Sequence, residues 1–271
     1  MVKASALKIC SEYSETEREE TTLSILRQNN QNIVIDGKES KNDIPKGVEN
    51  LAYEIMTNDS IIRDFIGTLR ENYITKKDDF CYSLAGKSDE EKNIIINIIK
   101  NLYGIIREYH YCQSCNMISG KIALSPKAHK FIFGQYMEIA LYKKVKEILL
   151  TLSDKYNKQF DLYRNVRVST KEDNKLKNEF DLVIESSDGI VYVIEVKSGY
   201  SFRDFNKYTE IGKVYGIIPD RFLLVDNCLS SEDCDITQFF CEYMVSNLEG
   251  NNFSDKLVSM IEKDMNSRNL E

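Results

Sequence analysis

The stretch NEFDLVIESSDGIVYVIEVKSG, residues 178–199, decides the fold. It has two runs rich in Val, Ile and Leu on either side of a turn sequence, SSDG at 186–189, and this pattern predicts a β-hairpin. Charged residues interrupt both runs: Asp181 stands in the first, and Glu195 and Lys197 stand near the end of the second. Because ionised groups are rarely buried unless they are paired or bind a metal, these three residues require a chemical explanation.

The three charged residues can share one face of the hairpin. Glu195 and Lys197 are two positions apart on a strand, so their side chains leave the same face of the sheet. If the hairpin pairs around its turn, Asp181 approaches the same end of the second strand. Two converging carboxylates are typical ligands of a divalent cation such as Mg²⁺, and a nearby ammonium can stabilise charge that develops on a phosphate. The alternative is that the three residues lie at exposed strand ends and form ordinary salt bridges.

Length and composition are typical of a globular protein. The 271 residues suit one large domain or two smaller ones, with 42% hydrophobic and 29% charged residues. No apolar stretch reaches the roughly 18 residues that a membrane span needs, and the N-terminal segment turns polar too quickly for a secretory signal. The seven cysteines are odd in number and irregularly spaced, which indicates reduced thiols. We therefore expect a cytoplasmic protein that does not enter the membrane.

Charge is distributed unevenly along the chain, although the net charge is −7. Between Lys121 and Lys177 there are 13 basic and 6 acidic residues, a local net of +7, whereas 228–271 has 3 basic and 9 acidic residues, a local net of −6. A basic segment can attract phosphates even in an acidic protein. The alternative is a solvated helix face. The residues that we expect to bind backbone phosphates are Lys143, Lys144, Lys146, Arg164 and Arg167.

The N-terminal part is predicted to be mainly helical. Among the polar first 45 residues we expect a helix at 16–28 and a short extended piece at 32–36. Apolar spacing from Val48 to Tyr73 predicts two short helices that separate near Asn58. A longer helix is predicted to begin with Ser88 as its cap and to reach Ile106.

The remaining sequence mixes helices and strands. It predicts extended segments around a turn at 119–120, a helix at 126–152, a strand at 160–170, the hairpin, a helix at 202–213, a strand at 221–227, a helix at 235–250 and an amphipathic segment at 254–266. The change from helical to mixed character predicts a boundary near residue 120. We therefore expect a helical region of unknown role at 1–118 and a second domain at 119–271.

The order of these elements, αβββαβ, and the spacing from Asp181 to the sequence Glu195-Val196-Lys197 resemble the PD-(D/E)XK nuclease superfamily. The resemblance implies that Asp181 and Glu195 bind Mg²⁺ or Mn²⁺ together with the carbonyl of Val196. It implies that Lys197 acts on the attacking water or the transition state, and that Glu138 of the preceding helix joins the metal site directly or through water. Phe180 stands where that family usually has proline.

A closer resemblance covers roughly residues 120–227. The segments FIFGQYMEIALYKKV, NEFDLVI, VIEVKSG and GIIPDRFLLVD resemble the C-terminal nuclease domain of CRISPR-associated ancillary nucleases, which pair that domain with a cyclic-oligoadenylate sensor. In that group a Gly-x-aromatic-apolar-Glu helix supplies the first acid, as Gly134 to Glu138 do here, and an Asn-Glu-x-Asp strand matches 178–181. The sequence at 1–118 shows no βαβ unit, so the resemblance does not extend to the sensor. Three residues are candidates for an auxiliary role at such a site, which are Glu179, Lys207 and Lys213. The alternative for the two lysines is that they are exposed residues of the helix after the hairpin.

The sequence HYCQSC contains His110, Cys112 and Cys115, the one cluster in the chain that resembles a zinc site. A structural zinc needs four nitrogen or sulfur ligands, and no second Cys-x-x-Cys follows. Cys81 or His129 can complete the set only by a coincidence of tertiary structure. We therefore expect ordinary buried thiols here.

Together these features predict an α/β protein with a restriction-endonuclease-like αβββαβ core, a mixed sheet flanked by helices, after a mainly helical N-terminal domain. The predicted function is that of a metal-dependent nuclease acting on DNA or RNA, in defence against phage or foreign nucleic acid. Besides nucleic acid, the candidate partners are a second copy of the chain, in a homodimer, and a protein regulator. Two alternatives remain: an inactive relative that binds nucleic acid or a protein, and a helical regulator whose α/β half is only a scaffold.

Overall fold

The computed structural model describes residues 33–39, 44–170, 178–198 and 205–267. The helix predicted at 16–28 lies outside these residues. The extended piece predicted at 32–36 corresponds to a strand at Ile33–Glu39.

The described residues form strands and helices that are mixed along the chain. In chain order these are β1 (Ile33–Glu39), α1 (Lys46–Thr57), α2 (Asp59–Thr75), β2 (Asp79–Ser83), α3 (Asp89–Asn101), β3 (Ile106–Cys112), β4 (Met117–Ile122), α4 (Pro126–Lys130), α5 (Tyr136–Tyr156), β5 (Phe160–Thr170), β6 (Asn178–Ser186), β7 (Val191–Lys197), α6 (Asn206–Tyr215), β8 (Phe222–Asp226), α7 (Ser231–Cys241), β9 (Met244–Ser246) and α8 (Asn252–Ser267). A π-helical turn at Phe131–Gln135 joins α4 to α5, and a 3₁₀ turn at Pro219–Arg221 precedes β8.

The N-terminal region is helical, with a small sheet inserted in it. The chain leaves α1 and enters α2 at Asn58, as the apolar spacing predicted. Ser88 begins α3 with a capping box, in which its Oγ accepts a hydrogen bond from the backbone of Glu91 and its N–H donates to the Glu91 carboxylate. The helix ends at Asn101, before the predicted Ile106, because the chain turns at Gly104 (φ 81°) and continues as β3.

The small sheet has the strand order β2-β4-β3, and it corrects the turn predicted at Ser119-Gly120. Those two residues lie inside β4, and the turn lies at 113–116. Gly120 is in a strand because the neighbouring strand passes too close for a side chain. A Cβ at this position would lie 2.1 Å from the carbonyl oxygen of Glu108.

The large sheet has the strand order β1-β5-β6-β7-β8-β9. The pairs β1/β5, β5/β6 and β6/β7 are antiparallel, whereas β7/β8 and β8/β9 are parallel. Alternate residues of its strands face two hydrophobic clusters, one with Val145 and Leu149 of α5 and the other with Tyr208 and Tyr215 of α6. The sequence of elements α5-β5-β6-β7-α6-β8 confirms the predicted αβββαβ core and its mixed sheet.

The helix predicted at 235–250 is wrong in its second half. Helix α7 ends at Cys241, Glu242 adopts a left-handed conformation (φ 67°), and the chain adds β9 parallel to β8. Tertiary burial explains the difference, because Tyr243 and Val245 are buried against the sheet. The Tyr243 hydroxyl also donates a hydrogen bond to the carbonyl of Phe205 at 2.7 Å.

The helical region and the α/β region share one hydrophobic cluster. Ile55 of α1 and Phe65 and Leu69 of α2 belong to the same buried set as Val145 of α5 and Leu182 of β6. The domain boundary at 118/119 stays a prediction. None of the helices in the part of the chain that the structure describes is both long and apolar enough to cross a membrane.

Candidate active site

The hairpin register places Asp181 beside Glu195. The two strands are antiparallel and Leu182 pairs with Ile194, so the residue before Leu182, which is Asp181, comes beside the residue after Ile194, which is Glu195. The turn lies at 186–189 as predicted, and Gly189 there has a φ of 77° and donates a backbone hydrogen bond to Ser186 at 2.9 Å. The backbone N–H of Val196 donates to Asp181 Oδ2 at 2.7 Å, which fixes this carboxylate against the end of β7.

Lys197 lies against both carboxylates. Its Nζ is 3.2 Å from Glu195 Oε2 and 4.0 Å from Asp181 Oδ2. Glu195 is only 4% exposed, whereas the Lys197 side chain is 27% exposed. The ring of Tyr208, on α6, lies 5.6 Å from the same Nζ and forms one wall of the site. The structure therefore brings together the two acids and the lysine that interrupt the hairpin strands.

Burial dominates the electrostatics of the site. Burial and, after it, the neighbouring Asp181 carboxylate together raise the pKa of Glu195 to about 8. Burial also raises the pKa of Asp181, against the lowering effect of Lys197 and of the Val196 N–H. For Lys197, burial lowers the pKa, but the charges of Glu195 and Asp181 together outweigh burial and hold the pKa above its ordinary value. Lys197 is therefore an ammonium at neutral pH.

Glu138 stands in the first turn of α5, where the chain leaves the π-helical turn. The predicted helix at 126–152 is thus interrupted at 131–135, at a point where Gly134 lies against β7. A Cβ on Gly134 would be 3.2 Å from Ser198 Oγ. Burial raises the pKa of Glu138 to about 7, and the charge of Asp181 raises it as well. Glu138 therefore lies within electrostatic reach of the carboxylate pair.

The donor set fits a hard divalent cation that keeps part of its water shell. Within the described ranges no group of three or more His, Cys, Asp or Glu side chains is placed to hold a metal ion, so Glu138 does not form a three-carboxylate group with Asp181 and Glu195. Mg²⁺ usually needs only one or two carboxylates beside waters and substrate oxygens, and Asp181 and Glu195 supply two. A bound cation favours the ionised form of both carboxylates, and with Lys197 charged the three side chains then carry a net charge of −1.

Helix α2 holds the end of β7 in place through Arg70. Its Nε donates to the carbonyl of Ile132 in the π-helical turn at 2.9 Å, and its Nη1 donates to the carbonyl of Ser198 at 2.8 Å. Its Nη2 lies 3.3 Å from Ser198 Oγ. Arg70 thus links the residue after Lys197 to the turn before Glu138. The sequence shows no signal for this role, since Arg70 is one charged residue of an amphipathic helix.

A second contact of α2 fixes the ends of the parallel strands β7 and β8. Arg63 is ion-paired with Asp59 and donates to the carbonyl of Asn227 at 2.8 Å. The Asn227 side chain donates to Asp59 Oδ1 at 3.3 Å, and its backbone N–H donates to the carbonyl of Lys197 at 3.2 Å. These bonds connect the N-terminal region to the strand that carries Glu195 and Lys197.

The predicted phosphate-binding residues differ in their exposure and contacts. Arg164 is 4% exposed and stacks on Tyr142, so its prediction as a solvent-facing phosphate ligand is corrected. Lys143 contacts α1, where its Nζ donates to Asn50 Oδ1 at 3.0 Å. The other two lysines of the set lie on α5, where Lys144 is half-buried and Lys146 is exposed.

Of the remaining predicted residues, some form exposed ion pairs and one lies beside the site. Arg167 pairs with Glu179 at 3.0 Å, and Lys213 pairs with Glu210 at 3.2 Å. In contrast, Lys207 lies over the Tyr208 ring at 5.8 Å, and its charge lowers the pKa of Glu195.

Sequence reasoning missed two residues near the carboxylates. Tyr208 forms a wall of the site, and it looked like an ordinary apolar residue of a helix. The exposed Lys130 ends α4, and its charge lowers the pKa of Glu138. A basic residue eight positions before Glu138 was the available signal for Lys130, but only the interrupted helix brings its charge to the site.

The zinc-like cluster does not assemble. His110, Cys112 and Cys115 are not part of any group of three metal-ligating side chains among the described residues. The expectation of buried thiols is also corrected, since Cys115 is exposed and Cys112 is partly exposed at the tip of the β3–β4 hairpin.

Comparison with solved structures shows the fold. No family model matches the sequence, and no curated protein matches it. The structure is similar to Can2 from Sulfobacillus thermosulfidooxidans, solved in complex with cyclic tetra-adenylate, with 15% identity and a TM-score of 0.56 over 89% of this chain and 61% of that one. It is also similar to VC1899 from Vibrio cholerae, with 15% identity and a TM-score of 0.55 over 90% of this chain and 60% of that one. The chain thus spans about three fifths of each of these proteins and has a Can2-like fold.

Proposed function

We propose that this protein is a divalent-metal-dependent nuclease of the PD-(D/E)XK type that hydrolyses phosphodiester bonds in DNA or RNA. We further propose that it acts in defence against phage or other foreign nucleic acid. The observation that carries the proposal is the contact of Lys197 Nζ with both Glu195 (3.2 Å) and Asp181 (4.0 Å) at the end of two paired strands. The similarity in fold to Can2, a protein that binds cyclic tetra-adenylate, supports it.

Each residue of the site has a role in this proposal. Asp181, Glu195 and the carbonyl of Val196 would hold Mg²⁺ or Mn²⁺, to which Glu138 would contribute directly or through water. When bound, the cation supplies positive charge for the phosphate and lowers the pKa of a water molecule. Lys197 presents its ammonium to the phosphate oxygens and stabilises the negative charge that grows in the transition state. The Val196 N–H keeps Asp181 in its orientation as charges at the site change.

Substrate phosphates approach a site whose carboxylates would otherwise repel them. Lys130 and Lys207 are exposed, and their charges act on Glu138 and Glu195 respectively. We assign to these two lysines the phosphate contacts nearest the reaction, in place of the buried Arg164. Lys144 and Lys146 stay proposed as more distant contacts.

A second candidate is an inactive relative that binds nucleic acid or a protein partner. The observation in its favour is that Lys197 already neutralises part of the carboxylate charge, so the three residues also form a stable ion-paired group without a metal. This candidate predicts binding without cleavage under every metal condition.

The test is cleavage of circular single-stranded and double-stranded DNA and of RNA, with Mg²⁺ and with Mn²⁺, in the presence and absence of cyclic tetra-adenylate. Asp181→Asn and Glu195→Gln should abolish cleavage. The matched control is Asp188→Asn, which removes a carboxylate at the turn of the same hairpin, where it pairs with Lys158 at 2.9 Å. Wild-type rates in either site variant would refute the assignment, and nucleic-acid binding without cleavage by the wild type would favour the second candidate.

A further inference from the structure

The tip of the β3–β4 hairpin carries two thiols that the proposed nuclease chemistry does not use. Cys112 is the last residue of β3, and Cys115 lies in the turn that leads to β4. Residues i and i+3 of a β-turn, the spacing of Cys112 and Cys115, have Cα atoms within about 7 Å of each other. A disulfide needs Cα atoms about 4.4–6.8 Å apart, so this spacing at a turn is compatible with one.

The Cys115 side chain lies back over the turn, on Cys112. Its Sγ is 3.8 Å from the carbonyl oxygen of Cys112. Ser114 Oγ is 3.2 Å from Cys112 Sγ. These contacts place the Cys115 thiol and the Ser114 hydroxyl beside Cys112.

Both thiols are accessible to small reagents. Cys115 is exposed and Cys112 is partly exposed, whereas Cys234 and Cys241 are buried. Hydrogen bonds from Cys115 and Ser114 lower the pKa of Cys112 to about 7, while the pKa of Cys115 is raised, first because of its hydrogen bond with Cys112. At neutral pH the pair therefore consists of one ready nucleophile and one thiol that keeps its proton.

We propose that Cys112 and Cys115 are a redox modification site, in which the two thiols convert reversibly into an intramolecular disulfide on reaction with a small disulfide such as glutathione disulfide. The Cys112 thiolate attacks one sulfur of the oxidant, the oxidant's S–S bond breaks, and one glutathione thiolate leaves and takes up a proton. Cys115 then loses its proton and attacks Cys112 Sγ, which breaks the mixed disulfide and releases the second glutathione. Two protein thiols are oxidised and one glutathione disulfide is reduced to two thiols.

This disulfide belongs to the labile class. It closes a loop of only four residues, and short loops gain little stability from a cross-link. A bond that adds little stability at an exposed turn is reduced as readily as it forms, which is the behaviour of regulatory disulfides in reducing compartments. The site does not depend on the proposed nuclease function.

The structure also sets the expected rate. With a pKa of about 7, Cys112 is about half ionised at pH 7, compared with about 3% for an ordinary thiol of pKa about 8.5. Its lower basicity also reduces its intrinsic nucleophilicity, but by less than the gain in thiolate, so Cys112 should react faster at pH 7 than an ordinary exposed thiol. The rate should rise with pH through neutrality, because the thiolate is the reacting form.

The experiment treats the full chain with glutathione disulfide, blocks remaining thiols with an alkylating reagent, and measures each cysteine peptide by mass spectrometry. Cys81→Ser is the matched control, since Cys81 is an exposed thiol on β2 of the same small sheet. In both the wild type and Cys81→Ser, the peptide with Cys112 and Cys115 should lose both of its free thiols. This peptide should carry no covalently attached glutathione. Cys115→Ser should stop at a stable mixed disulfide on Cys112, and Cys112→Ser should react more slowly.

Three outcomes would overturn the proposal. The first is that the peptide with Cys112 and Cys115 keeps two free thiols while Cys81 is modified. The second is that the wild type accumulates a mixed disulfide at this peptide and does not proceed further. The third is that oxidation produces only disulfides between chains, seen as dimers on a non-reducing gel. Melting curves of the serine variants verify that they are folded, and Cys→Ala versions repeat the test with a different side chain.

Discussion

Replacing Lys197 by alanine gives the sharpest distinction between the two proposed functions, a nuclease and an inactive relative. The change removes an ammonium that lies 3.2 Å from Glu195 and 4.0 Å from Asp181. If Lys197 stabilises the transition state, single-turnover cleavage should fall by about 10² to 10⁴, the usual contribution of one positioned electrostatic or acid–base group. Affinity for nucleic acid should change little, since one lysine contributes only a small part of the summed attraction to phosphates.

The same variant should also lose stability, because the pair is largely buried. Breaking a fully buried pair costs about 3–5 kcal/mol, and exposed pairs contribute about 0–1 kcal/mol. With 27% of the Lys197 side chain exposed, we expect a value between these limits, about 1–3 kcal/mol. This corresponds to a melting temperature lower by about 2–10 °C.

The assay combines single-turnover cleavage, metal titration and melting of the same samples, well below the melting temperature of the variant. Lys158→Ala is the matched control, because Lys158 pairs with Asp188 at the turn of the same hairpin and should leave cleavage unchanged. Lys197→Arg should recover only part of the rate, because a planar guanidinium does not replace a compact ammonium in a tight site. A variant that melts lower but cleaves at the wild-type rate would refute the catalytic role of Lys197.

Three further predictions follow from other contacts. Arg70→Met should lower the free energy of unfolding by about 2–4 kcal/mol in urea titrations, because it removes hydrogen bonds to Ile132 and Ser198. Arg70→Lys should recover only part of this stability. Full stability in Arg70→Met would contradict the role of Arg70 in holding the end of β7. Lys130→Glu with Lys207→Glu should weaken binding to all sequences about equally and reduce its salt dependence, whereas the control Lys213→Glu should not. Gly120→Ala should cost about 2 kcal/mol or more, because its Cβ would overlap the Glu108 carbonyl, and an unchanged urea midpoint would show that β3 can move aside.

The centre of the site was readable from the sequence because local pattern and chemistry agree there. Period-two alternation and the SSDG turn determine the register of the hairpin, and the register alone places Asp181 beside Glu195. The αβββαβ order followed from the lengths and spacing of the apolar runs. Both are properties of neighbouring residues, and the structure confirms both.

The errors arose where distant parts of the chain decide the outcome. Sequence shows that Arg164 is charged, but only the packing of β5 against α5 shows that it is buried on Tyr142. Gly120 looked like a turn residue, whereas the close approach of β3 places it in a strand. Val245 fits the apolar pattern of a helix, but it lies in β9, which pairs with β8 at the edge of the sheet. The contacts of Arg70 join residues up to 128 positions apart, and no local pattern contains that information.

The most direct test of the metal site measures the binding of Mn²⁺ to the full chain. The amount of free Mn²⁺ is monitored by its electron paramagnetic resonance signal. The wild type should bind Mn²⁺ at a site that Mg²⁺ competes for, and the double variant Asp181→Asn with Glu195→Gln should lose that site. The control Asp188→Asn should retain it. Mn²⁺ binding of equal affinity and stoichiometry in the wild type and the double variant would contradict the assignment of Asp181 and Glu195 as the metal ligands.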